Sequence, residues 1–128
     1  MSQISEQIWI GSFTEAQNQG LIHDLKITAM VCCSEGPSYA PGHAVVSSMP
    51  WFHISQLENT QEWLDEGATK LDELVKKGHR VFLYSLTGLS RAPSIVITYL
   101  TKYQKWSYML AVLHINQRRP IDLLHRLD

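Results

Sequence analysis

The chain has 128 residues, 45% hydrophobic and 18% charged, with a formal net charge of −1, a balance that suits one globular domain with a buried core. No apolar run approaches the roughly 18 residues of a membrane-spanning helix, and the first residues lack the basic-then-apolar pattern of a secretory signal. The expectation is a single soluble domain over residues 1–128, cytoplasmic or nuclear and not secreted.

In chain order, residues 7–13 (QIWIGSF) alternate apolar and polar side chains and then break at Gly11 and Ser12, the pattern of a short strand and turn. Residues 14–25 read as a short helix interrupted at Gly20. Residues 26–33 (KITAMVCC), a continuous β-branched and apolar run, read as a buried strand. Glycine and proline make residues 34–42 a loop, and residues 44–52 (AVVSSMPWF) predict a further strand ended by Pro50. Asn59 stands three residues before Glu62, a loose capping box, ahead of Leu64, Ala68, Leu71 and Val75 on one helical face. Lys76, Lys77 and Gly78 supply the cations and the glycine that close such a helix. Residues 80–84 (RVFLY) form a buried strand, residues 85–90 (SLTGLS) a small-residue turn, and residues 91–104 a helix with Pro93 in its first turn. Ser107 caps a last helix reaching about Arg118, ended by Arg119 and Pro120. Strands alternate with helices and nothing repeats, so the fold class is α/β, a mostly parallel central sheet flanked by helices.

The total charge conceals a division. Residues 1–78 hold ten acids against four bases, net −6, and residues 79–128 hold seven bases against two acids, net +5. An anion site belongs in the second half, unless the charges merely segregate between solvated helix faces. Cys32 and Cys33 are neighbours on a predicted strand, face opposite sides and read as free, packed thiols in a reducing compartment. The six histidines are scattered without metal-ligand spacing, so no metal or cofactor is expected. The Arg118-Arg119 pair is too short for a nucleic-acid stripe, and neither GxxxxGK[ST] nor GxGxxG occurs.

Residues 81–100 (VFLYSLTGLSRAPSIVITYL) carry the most information. A buried strand runs into a glycine-containing loop and then a helix N-terminus, with Arg91 at the junction. Backbone N–H groups of such a loop converge on an anion, the helix dipole adds partial positive charge, and a guanidinium donates two parallel hydrogen bonds. Gly88 permits close backbone approach and Ser90 offers a hydroxyl. A plain strand-to-helix turn, with Arg91 paired to a carboxylate, is the simpler alternative for the same residues.

The stretch resembles the signature of the protein tyrosine phosphatase superfamily, specifically the small dual-specificity phosphatases: a strand ending in His-Cys, five loop residues xxGxS, then Arg and a helix. Tyr84-Ser85, then Leu86, Thr87, Gly88, Leu89 and Ser90, then Arg91 occupy those places. The resemblance extends to residues 8–11 and 25–33, to Glu62-Trp63, and to Ala111 with Arg118-Arg119-Pro120, with the last helix of the family shortened or missing after Leu127. It implies a dual-specificity-phosphatase fold and a phosphate-binding loop formed by Ser85, Leu86, Thr87, Gly88, Leu89, Ser90 and Arg91.

It also exposes two departures. The family attacks phosphorus with a cysteine thiolate, and Ser85 stands there, with Tyr84 for the usual histidine. The family protonates the leaving group with a loop aspartate; alignment puts His53 or Ile54 at that position, and the nearest carboxylate, Glu58, adjoins the helix start, where capping is its simpler job. His53 itself reads most plainly as an exposed loop histidine. The expectation is a pseudophosphatase that binds a phosphorylated protein or peptide, without nucleic-acid or membrane partners. Two alternatives stand beside it. One is an active phosphatase whose nucleophilic cysteine has been changed to serine. The other is a structural subunit of a larger assembly with a vestigial loop, for which Trp9, Trp51, Trp63 and Trp106 are candidate interface anchors, although Trp63 reads as core.

Overall fold

In the computed structural model, which describes residues 1–33, 40–54, 59–86 and 91–119, strands Ser2–Ser5 (β1), Ile8–Ser12 (β2), Ala29–Cys32 (β3), Trp51–His53 (β4) and Val81–Ser85 (β5) join in the order β1-β2-β5-β3-β4. β1 pairs antiparallel with β2; the other neighbours are parallel. Helices Phe13–Ala16 (α1), Gln19–Asp24 (α2), Gly42–Ser47 (α3), Thr60–Lys76 (α4), Arg91–Lys102 (α5) and Tyr108–Arg118 (α6) complete the described chain. None of these is long and apolar enough to cross a membrane.

The period-2 alternation of strand side chains divides the core between two faces. Ile8, Ile10, Ala29, Val31, Val81 and Leu83 pack on one face with residues of α4, α5 and α6. Trp9, Met30, Cys32, Phe82 and Tyr84 pack on the other with Ala16, Ile22 and Ala44 of α1, α2 and α3. Central strands buried on both faces read as continuous apolar runs, as residues 26–33 and 80–84 do. Cys32 and Cys33 fall on opposite faces, both buried and free.

Helix α4 forms as its pattern predicts. Asn59 accepts a hydrogen bond from the Glu62 amide at 3.0 Å, Leu64, Ala68 and Leu71 are buried, and Gly78 takes φ +84° just past the end. Gly67 is needed for packing: a Cβ there would lie 2.5 Å from Ile95 Cδ1, so its absence sets how closely α4 and α5 approach.

Three expectations change. Residues 14–25 form two helices divided near Gln17, where Asn18 caps α2 through the Leu21 amide at 3.1 Å, and Gly20 lies inside α2. Residues 44–52 hold helix α3 followed by strand β4, and Pro50 precedes that strand instead of ending one. The β-branched Val45 and Val46, which suggested a strand, are 64% and 88% exposed, and the pair follows Ala44, the one buried residue of α3. His53 ends β4, half-buried, instead of sitting in an exposed loop. Residues 2–5 add an unpredicted edge strand. Most of the loop expected over residues 34–42, and all of residues 120–128, lie outside the described residues, whereas Gly42 begins α3.

Candidate functional site

The four parallel strands end at a common edge: Ser12 is level with Ser85, Cys32 with Tyr84, and Cys32 with His53. In open α/β sheets ligands bind outside these carboxyl ends, where connections depart to opposite faces. Here α1 to α3 lie on one face and α4 to α6 on the other, and β5 runs between β2 and β3. The chain that leaves β5 therefore stands at the centre of that edge.

Ser85 is the last residue of β5 and only 4% exposed. It shares the strand face of Val81 and Leu83, toward α5. Leu86 follows with its side chain out in solvent, and its carbonyl accepts a 3.4 Å hydrogen bond from the Phe13 amide, tying the start of the turn to the start of α1. Just upstream, Ser12 and Glu15 close a capping box, the Ser12 hydroxyl accepting from the Glu15 amide and the Glu15 carboxylate from the Ser12 amide. Thr87, Gly88, Leu89 and Ser90 lie outside the described residues. Arg91 opens α5, half-buried, with its guanidinium carbon 5.4 Å from the centre of the Trp63 ring. Trp63 is held in turn by donating from Nε1 to the Ile54 carbonyl at 3.0 Å. The structure thus places Ser85, Leu86 and Arg91 at the two ends of the expected loop, with Arg91 braced from beneath.

Burial lowers the pKa of Arg91, and the nearby Cys33 partly opposes that. The reciprocal effect falls on Cys33: burial, and secondarily Cys32, push its thiol well above the ordinary range, with Arg91 pulling the other way. The sequence reads Cys33 as strand packing and carries no sign of its interaction with Arg91. A fully buried, protonated thiol is not a nucleophile, so Cys33 does not replace the missing cysteine.

The two candidate acid positions are occupied otherwise. Ile54 is buried; its amide donates to the Cys32 carbonyl at 3.0 Å while its own carbonyl receives Trp63. His53 stands beside β3, two strands from β5, a lateral separation of about 10 Å. Register puts it with Cys32 on the α1–α3 face, its ring stacked 6.5 Å from that of Trp51, whereas Ser85 belongs to the α5 face. Glu58 lies outside the described residues. Tyr84 is buried, accepts a 2.6 Å hydrogen bond from Trp51 Nε1, and burial lifts its phenol far above the usual range, so it brings no charge to the site. Its partner Trp51, 33 residues away, carries no local sequence signal.

A family model for the dual specificity phosphatase catalytic domain matches residues 8–125. Dual specificity protein phosphatase 1-A of Xenopus laevis is 28% identical over 115 residues, covering 89% of this chain and 31% of that protein. Dual specificity protein phosphatase 1 of Arabidopsis thaliana is 25% identical over 122 residues, covering 94% of this chain and 61% of that protein. The chain therefore spans less than two thirds of either relative. A leucine rich repeat and phosphatase domain containing protein from Entamoeba histolytica has a solved structure that superposes with a TM-score of 0.76 at 22% identity, over 97% of this chain and 82% of that one, a likeness of fold.

Proposed function

The chain belongs to the dual specificity phosphatase catalytic domain family, and from that premise we propose that it is a pseudophosphatase, which captures phosphorylated Ser, Thr or Tyr on a protein partner and releases it unhydrolysed. One observation carries the reading: a buried serine, Ser85, stands at the carboxyl end of the central strand where the family has its cysteine. A serine hydroxyl needs an adjacent general base to attack phosphorus. Its neighbour Tyr84 is a neutral phenol hydrogen-bonded to Trp51. Leaving-group protonation has no carboxylate at His53 or Ile54 to perform it. The groups on which phosphate binding rests are the turn after Ser85, the helix N-terminus and the Arg91 guanidinium. Two buried free thiols accord with a reducing compartment, cytoplasmic or nuclear.

An engineered serine in an otherwise active phosphatase would leave the neighbouring histidine and the aspartate in place, and this chain has Tyr84, His53 and Ile54. Calorimetry with phosphoserine, phosphothreonine and phosphotyrosine peptides tests the proposal. The native chain binds at least one of them and not its unphosphorylated form, and Arg91→Ala weakens that binding roughly 10- to 100-fold, the range for a charge-assisted hydrogen bond. Equal affinity of the two proteins, or steady release of inorganic phosphate by the native chain, overturns it.

A further inference from the structure

Glu15 joins distant parts of the chain at the edge where the expected phosphate loop begins. Its Oε1 accepts from the Ser12 amide at 3.0 Å and from Arg119 Nη2 at 3.3 Å, and its Oε2 meets the amino group of Met1. Arg119 arrives from 104 residues away, at the end of α6. Ala111 and Ile115 anchor that helix in the core, and the Arg119 amide donates to the Ile115 carbonyl at 2.9 Å, so its end is a fixed point. The same guanidinium reaches Ser2 Oγ of β1 through Nη1 at 3.4 Å. The Arg119 and Glu15 side chains are only 14% and 25% exposed, which shields the pair from the screening that weakens ordinary surface ion pairs. Room is kept for the carboxylate. A Cβ on Gly11 would lie 3.1 Å from Glu15 Oε1 and 2.6 Å from Phe82 Cζ, so glycine at this point of β2 admits both.

This junction controls the placement of α1. A helix of four residues cannot hold itself, and α1 relies on the box between Ser12 and Glu15 and on the grip of Arg119. Its first amide, that of Phe13, donates to the Leu86 carbonyl at 3.4 Å, one residue beyond Ser85, and the Phe13 ring lies 6.2 Å from that of Tyr84. A continuous path therefore leads from the core helix to the turn: Arg119, Glu15, the start of α1, Leu86. A peptide group is planar, so fixing its carbonyl also fixes the amide on its other side.

We propose that Glu15 is a positioning residue for anion binding: paired with Arg119, it seats α1 so that the Phe13 amide holds the Leu86 carbonyl and pre-orients the turn after Ser85 for a phosphate group. The inference rests on the phosphate-binding reading and adds to it a requirement carried by α1 and α6. Preorganisation strengthens binding by removing the cost of ordering the turn when the ligand arrives. It also sets a sign that charge alone does not. Ser12 is level with Ser85, so Glu15 is an anion close to an anion site. By electrostatics alone its neutralisation would strengthen phosphate binding; as a positioning residue its neutralisation weakens it.

The test is nuclear magnetic resonance of the full chain titrated with inorganic phosphate, together with hydrogen exchange of the Phe13 amide. The native chain binds phosphate and protects that amide. Glu15→Gln keeps an acceptor for the Ser12 amide but loses the ion pair. It binds phosphate about three- to tenfold more weakly, and its Phe13 amide exchanges freely while those of β5 stay protected. Arg119→Gln does the same, and the double variant binds no more weakly than the worse of the two singles. Should Glu15→Gln fold poorly, Arg119→Gln supplies both readings. Phosphate binding by Glu15→Gln as tight as that of the native chain, or tighter, overturns the proposal, as does a Phe13 amide that exchanges freely in the native chain or stays protected in a folded variant. A native chain that binds no phosphate, or binds it equally after Arg91→Ala, overturns the phosphate-binding reading and this inference with it. Binding weakened by Arg91→Ala but intact in Glu15→Gln overturns this inference alone.

Discussion

At position 85 the difference between sulfur and oxygen sets what chemistry is open. In the proposed reading, a thiol beside a guanidinium would ionise readily and attack, whereas a serine hydroxyl without an adjacent general base would keep its proton. Restoring sulfur alone leaves the leaving group without an acid, a deficit of about 10²- to 10⁴-fold. Ser85→Cys is therefore expected to hydrolyse a phosphotyrosyl peptide at a rate lower by about that factor than a family member carrying both groups, as read by phosphate release. Rapid turnover by the single variant would instead mark Ser85 as the sole lesion in a working enzyme. That Ser85 ends a strand and Arg91 opens a helix was legible in sequence because a strand, a Gly-x-Ser-Arg run and a helix start are contiguous. The companions of the site were not. Trp63 under Arg91, Cys33 near it and Trp51 on Tyr84 all come from elements that only the sheet brings together.

Helix α4 and the parallel strands β2, β3 and β5 were legible as elements because each carries its own signal: a cap, a period of 3.6 residues, alternation or an apolar run. The segment at 44–52 was not. Val45 and Val46 favour a strand by propensity, but neither has a sheet partner in the fold, and β4 is the three-residue remainder. A strand as short as β1, with only Ile4 buried, offers too few positions for alternation to register. What sequence also could not reveal is the role of Gly67, whose helix interior position is unfavourable in isolation and is explained only by Ile95 on α5. Gly67→Ala gains helix propensity but forces the new methyl into Ile95 Cδ1, for a net loss of about 1 to 3 kcal/mol. Ile95→Val removes that carbon but keeps Cγ1, 2.8 Å from the new methyl, so it is expected to destabilise the native chain and to cost less in the Gly67→Ala background. A double-mutant cycle from urea unfolding checks this coupling, and simple additivity of the two changes would show that α4 and α5 do not meet at this point.

For the whole molecule, the acidic first half and basic second half give an asymmetry the total of −1 hides, and the fold pairs part of it across the halves, Lys102 with Asp65 and Arg119 with Glu15. Ionisation in the core sets a different limit, in alkali. Burial holds the pKa of the Cys33 thiol well above 9 in the folded state, and it raises the phenols of Tyr84 and Tyr99 above 10. Above about pH 9 the unfolded chain loses the thiol proton while the folded chain keeps it, and the same follows for the phenols from about pH 10. The unfolded state then binds fewer protons, so stability declines with rising pH, by up to about 1.4 kcal/mol per pH unit for each such group. Urea midpoints measured from neutral pH upward are expected to hold steady and then fall from about pH 9. Cys33→Ala lowers stability throughout by removing a packed side chain, but it delays the alkaline decline to the range where the phenols titrate. Parallel curves for the two proteins would mean that Cys33 ionises as easily in the folded chain as in the unfolded one, contrary to its burial beside Arg91.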